Sequence, residues 1–98
     1  MANVSFDTAA LDEYQRAVAW YVARNARAAK AFTSAVSSIL AAIGSQPDRY
    51  AWYDLESREA AVSGYPYSVI YRALPSGDVQ VIAIAHASRE PGYWRGRA

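Results

Sequence analysis

Tyr67-Ser68-Val69-Ile70-Tyr71-Arg72-Ala73, Leu74-Pro75-Ser76-Gly77-Asp78, Val79-Gln80-Val81-Ile82-Ala83-Ile84-Ala85: this stretch decides the fold. The first segment is rich in β-branched and aromatic residues, with Tyr67, Val69 and Tyr71 alternating against Ser68, Ile70 and Arg72, which predicts a strand. The middle segment has turn chemistry, with Pro, Ser, Gly and Asp in succession. The last is apolar on both faces apart from Gln80, so it predicts a central strand covered on both sides. A hairpin follows. Its second strand runs into His86-Ala87-Ser88-Arg89-Glu90-Pro91-Gly92-Tyr93-Trp94-Arg95, a tail that carries the chain's single histidine and two arginines, with Arg97 just beyond.

Upstream the period changes from two to about 3.6. Val4-Ser5-Phe6 predicts a short strand, and Asp7 or Thr8 is placed to cap the helix after it. Leu11, Tyr14, Val18 and Tyr21 recur at helical spacing, with Asp12, Glu13, Arg16 and Arg24 on the other side. Asn25 marks a break. A second helix is predicted from about Arg27 to Ile43, with Phe32, Val36, Ile39, Leu40 and Ile43 on one stripe. Gly44 is expected to stop it, with Pro47 three residues beyond. Residues 44–54 read as a loop in which Trp52 and Tyr53 pin against the body, and Arg58–Val62 as a weaker strand. The expected architecture is α+β: a short N-terminal strand, then an antiparallel helical hairpin packed on a small antiparallel β-sheet. Leu11, Tyr14, Val18 and Tyr21, with Phe32, Val36, Ile39 and Ile43, should meet one face of the Val69/Tyr71 and Val81/Ala83 strands.

Composition bounds the rest. Ninety-eight residues, 53% hydrophobic and 19% charged, suit one globular domain over residues 1–98. With no cysteine there is no disulfide framework, thiol nucleophile or zinc knuckle. No metal or cofactor is expected. No apolar run reads as a membrane span and the N-terminus lacks a signal pattern, so a cytoplasmic protein with no membrane partner is expected. The net charge of +1 says little, but all basic residues except Lys30 are arginine. The planar guanidinium suits phosphates and carboxylates, although a GC-rich genome produces the same bias.

The run Pro66-Tyr67-Ser68-Val69-Ile70-Tyr71, through His86 and Arg89 to Tyr93-Trp94, resembles the RelE/ParE superfamily, the toxins of bacterial type II toxin–antitoxin modules. Leu11-Asp12-Glu13 and Ala19-Trp20-Tyr21 extend the resemblance over nearly the whole chain with less specificity. It implies the same helical hairpin on a sheet. It also implies a growth-inhibiting toxin whose partner is a cognate antitoxin, with acidic groups placed to meet Arg89, Arg95 and Arg97.

Members similar to RelE cleave messenger RNA on the ribosome without a metal. The 2′-hydroxyl attacks the neighbouring phosphate, which needs a base, an acid and a cation. On that reading the chain is an endoribonuclease. Arg89 is its phosphate-binding cation, Tyr93 stacks on a base or relays a proton, and His86 serves as acid or base. Arg58, Arg72 and Arg95 would extend the substrate-binding surface. Each has a plainer role open to it: ion pairing for the arginines, tail packing for Tyr93, a structural hydrogen bond for His86. Trp20 and Trp94 read as core or anchor residues. The middle strands lack the basic cluster of the better-known ribonucleases, with Arg58 beside Glu59 and Ser68 where a further cation could stand. Members similar to ParE instead inhibit DNA gyrase by binding, and need no catalytic set. That is the alternative, together with a non-toxic member that only binds an antitoxin.

Overall fold

A computed structural model describes residues 1–97. Six elements run in the order β1 (Val4–Phe6), α1 (Thr8–Val22), α2 (Ala26–Ser45), β2 (Arg58–Ala61), β3 (Tyr67–Ala73) and β4 (Val79–His86). The strands form one sheet in the order β1-β4-β3-β2. The predicted helical hairpin lies across one of its faces. β2–β3 and β3–β4 are antiparallel, but β1 runs parallel to β4, pairing Val4 with Val79 and Phe6 with Val81. The sheet is therefore mixed, and the expectation of an all-antiparallel sheet is corrected at β1. The two helices carry the chain back before β2 begins, and β1 meets the last strand across the whole sequence.

Local chemistry sets the helix ends. Asp7 caps α1 by accepting the Ala9 N–H at 3.0 Å, and Asn25 caps α2 by accepting that of Ala28 at 2.7 Å. Asn25 is thus both the break and the new start. Gly44, expected as the stop, is instead helical and buried, and Gln46 ends the helix. A Cβ at Gly44 would lie 3.1 Å from the Ala2 carbonyl oxygen, and the Ala2 N–H donates to the Gly44 carbonyl at 2.9 Å. Glycine is there so that the N-terminal segment can cross the last turn of α2. By length and composition alone, α2 would suffice to cross a bilayer, contrary to the expectation of no such run. In this fold its stripe of Phe32, Val36 and Ile43 is buried against the sheet, while Lys30, Ser34, Ser37 and Ser38 face outward.

The core beneath the helices holds Phe32, Val36 and Ile43 with Val69, Tyr71, Val81 and Ile84, and Tyr14, Val18, Tyr21 and Ile39 pack partly buried around it. Leu11, expected in that set, is 42% exposed; Ala10 and Ala17 hold the buried positions of α1. Ala83 also departs from expectation. Ile70 pairs with Ala83 but Tyr71 with Val81, so Ile82 is an extra residue in β4. This bulge resets the alternation and sends Ala83 to the outer face with Ile70, Ile82 and Ala85. That face is covered by Trp94 from the C-terminal tail and, in part, by Tyr53. Trp52, expected to be pinned as well, is 60% exposed, with the Arg58 guanidinium 3.8 Å from its ring centre.

Candidate functional site

β1 is short, and this shapes the site. Its pairing ends when the Asp7 N–H reaches the Val81 carbonyl, which leaves the second half of β4 without a neighbour on that side. Glu13 of α1 and Arg97 of the tail take the place of the missing strand. The Ile84 N–H donates to Glu13 Oε1 at 3.1 Å, and Arg97 Nη1 donates to the Ile82 carbonyl at 3.0 Å. Arg97 Nη1 also donates to Glu13 Oε1 at 2.9 Å, and the Tyr93 hydroxyl to Glu13 Oε2 at 2.6 Å. One carboxylate therefore satisfies an open sheet edge and ties down the tail.

Above this clamp, α1, the ends of β3 and β4, and the tail enclose a cleft of about 410 Å³ lined by Glu13, Arg16, Trp20, Tyr67, His86, Arg89 and Tyr93 among others. The three residues expected to carry chemistry, His86, Arg89 and Tyr93, do come together here. Of the three, Tyr93 is committed to the scaffold. The Tyr93 phenol is held well above the ordinary tyrosine range, first by burial and then by its hydrogen bond to the Glu13 carboxylate. It is occupied as a donor and stays protonated. His86 Nδ1 accepts the Ser88 N–H at 3.0 Å, which puts the proton of the neutral ring on Nε2, and the ring stands edge-on to Tyr67. Arg89 is exposed, its guanidinium 3.9 Å from the Tyr93 ring centre, and among the described residues no carboxylate lies within 4.0 Å of it.

The other three expected residues lie elsewhere. Arg58 is committed to the loop before β2, donating to the Tyr50 and Asp48 carbonyls at 2.7 and 3.2 Å. Arg72 donates to Gln80 at 3.0 Å, and Arg95 pairs with Asp54 at 3.4 Å. Both line a second cleft with Trp94, on the outer face of the sheet. Trp94 is buried, as an anchor should be, but Trp20 is not: it is 51% exposed, with the Arg24 guanidinium 3.4 Å from its ring centre. Glu13 was the residue that sequence reasoning missed. Its signal was weak, a carboxylate one position from Tyr14 on a helix otherwise read as amphipathic.

The clamp has a consequence in alkali. The folded pKa of Tyr93 lies above its unfolded value of 10.0, so its contribution is complete below that pH and is lost as pH rises through it. Burial raises Tyr14, Tyr67 and Tyr71 in the same direction. The free energy of unfolding in urea should stay level up to about pH 9 and fall beyond about pH 10. Tyr93→Phe, lacking the titrating group, should show a shallower alkaline slope; an unchanged slope would remove Tyr93 from this account.

With this geometry in place, the comparisons with known proteins narrow the class. A solved structure described as the chromosomal ParDE TA system from P. aeruginosa has the same fold, with a TM-score of 0.73 at 15% identity, covering 88% of this chain and 96% of that one. No curated protein matches. The family model for the ParE toxin of type II toxin–antitoxin system, parDE, matches residues 4–91, from β1 through β4 and into the tail. The chain therefore belongs to the ParE toxin family of type II toxin–antitoxin systems.

Proposed function

We propose that the chain is a toxin that inhibits DNA gyrase by binding it, and that a cognate antitoxin holds it inactive in the cytoplasm. The observation that carries this reading is the clamp. Cleaving RNA requires a base, an acid and a cation free to act on the substrate. Here the Tyr93 hydroxyl is spent on Glu13 and Arg58 on its own loop. What the cleft presents instead suits recognition: a half-exposed tryptophan, Arg89 with no carboxylate within 4.0 Å among the described residues, and Arg16 of α1. A site that binds and does not turn over loses nothing when its phenol becomes part of the scaffold. Membership of the ParE family points to the same target.

Messenger RNA cleavage on the ribosome keeps one observation in its favour, since His86 and Arg89 line the same cleft. The two readings separate in cells. Induction without the antitoxin should stop growth and reduce negative supercoiling of a reporter plasmid, while primer extension finds messages intact. Co-expression of the neighbouring antitoxin gene should restore growth. Cut messages with unchanged plasmid topology would reverse the assignment. Binding without growth arrest would indicate the non-toxic alternative.

A further inference from the structure

The second cleft lies on the face of the sheet away from the helices and is separate from the one proposed to meet gyrase. It measures about 320 Å³, near the lower size of small-ligand sites. Ile82 and Trp94 supply its apolar surface, and Arg72, Arg95 and Arg97 line it with the 54–57 turn. Two of these arginines are already neutralised, Arg95 by Asp54 and Arg97 by Glu13. Arg72 is not. It bonds only the uncharged Gln80 side chain, and among the described residues no carboxylate lies within 4.0 Å of it.

Two further features coincide here. The Trp94 indole N–H is the one buried side-chain polar group without a hydrogen-bond partner among the described residues. Natural cores rarely leave such a donor unused. Leu55, on the turn that forms one wall, is 99% exposed, so its side chain is free to pack on a ligand in the cleft. Asp54 holds that turn in place. It accepts the Glu56 and Ser57 N–H groups at 2.9 and 2.8 Å and the Ser57 hydroxyl at 2.8 Å. Its carboxyl sits below the ordinary range, first because of the Glu56 N–H and then through Ser57 and Arg95. The wall is therefore shaped before any ligand arrives.

We infer that this cleft binds an organic carboxylate with a short aliphatic body. The carboxylate pairs with Arg72, and the body lies between Leu55 and the Ile82–Trp94 surface. The Trp94 N–H is screened from water, so an acceptor reaches it only if the indole tilts as the ligand seats, and that tilt is measurable. Such a carboxylate could be a free small molecule or an acidic side chain next to an aliphatic one in a partner polypeptide. The recognising chemistry is the same for both.

The test uses the purified full chain labelled with nitrogen-15, whose three tryptophans give separate indole signals. Hexanoate, acetyl-leucyl-glutamate amide and, as a charge control, hexylamine are titrated in turn. Hexanoate or the dipeptide should move the Trp94 indole signal saturably while that of Trp20 stays in place. Hexylamine should not. Response to the dipeptide alone assigns the ligand to a polypeptide, and response to hexanoate as well admits a free carboxylate. Arg72→Gln, with its other backbone signals unmoved, should weaken binding about tenfold or more, as expected when a partly desolvated ion pair is lost. The inference is overturned if neither carboxylate saturates the Trp94 signal, if hexylamine moves it equally, or if Arg72→Gln binds as tightly as the parent chain.

Discussion

Phe32→Ala should be the most damaging single truncation in the chain, costing about 3–5 kcal/mol. Phe32 is completely buried, and its ring lies within 6.2 Å of those of Tyr14, Tyr21, Tyr65 and Tyr67, joining both helices to the end of β3. Removing it leaves a cavity that four rings, two fixed on α1, one on β3 and one on the turn before it, cannot close by small shifts. Small domains of this size lose about 4–8 °C of melting temperature per kcal/mol, so the midpoint should fall by roughly 12 °C or more. Ile39→Ala is the control. Ile39 lies on the same helix but only partly buried, so its truncation should cost clearly less. Equal effects in thermal melts would mean that the aromatic cluster is not the centre of the core.

Glu13→Ala should rank next, at about 2–4 kcal/mol. The change strands the Ile84 N–H at an open strand edge and leaves the Arg97 guanidinium and the Tyr93 hydroxyl without their shared acceptor. Glu13→Gln keeps the shape and two possible acceptor contacts, so it should lose only about 1–2 kcal/mol. The two variants should also differ in the tail. Amide exchange at Tyr93–Arg97 should accelerate strongly in the alanine variant while β3 remains protected. Uniform acceleration across the sheet would show that Glu13 supports the whole fold and not the tail in particular.

The sequence made short-range features legible and long-range ones not. The 67–85 hairpin and both helices followed from side-chain period, and Asn25 from its capping chemistry. Each of these signals spans a few residues. The parallel β1–β4 pair joins residues some seventy-five positions apart, as the Asn3–Asp78 contact shows, and no local pattern encodes which way such a strand runs. Ala83 was misplaced because a bulge leaves no mark in an unbroken apolar run such as Val81–Ala85. Gly44 was misread because a glycine near a helix end looks the same whether it stops the helix or makes room for a crossing chain.

The site divided along the same line. His86, Arg89 and Tyr93 were legible together because they sit close in sequence after one strand. Glu13 was not, since its partners Ile84 and Arg97 lie 71 and 84 residues away. That omission mattered. Without the Glu13 contact, Tyr93 is open to base stacking, proton relay or tail packing alike; with it in place, the phenol belongs to the scaffold. Arg58 and Arg72 lie on adjacent strands, as expected, but the fold turns them to surfaces other than the one that holds Arg89.

Whether this protein acts by binding gyrase is tested most directly in a purified system. Gyrase, ATP and relaxed plasmid are mixed with increasing amounts of the chain, and the appearance of supercoiled product is followed on a gel. The chain should block supercoiling at a stoichiometry near that of the enzyme, antitoxin should restore it, and Trp20→Ala with Arg89→Glu should relieve the block while leaving the fold intact. Full supercoiling at saturating toxin, with the same preparation cutting ribosome-bound message, would contradict the account.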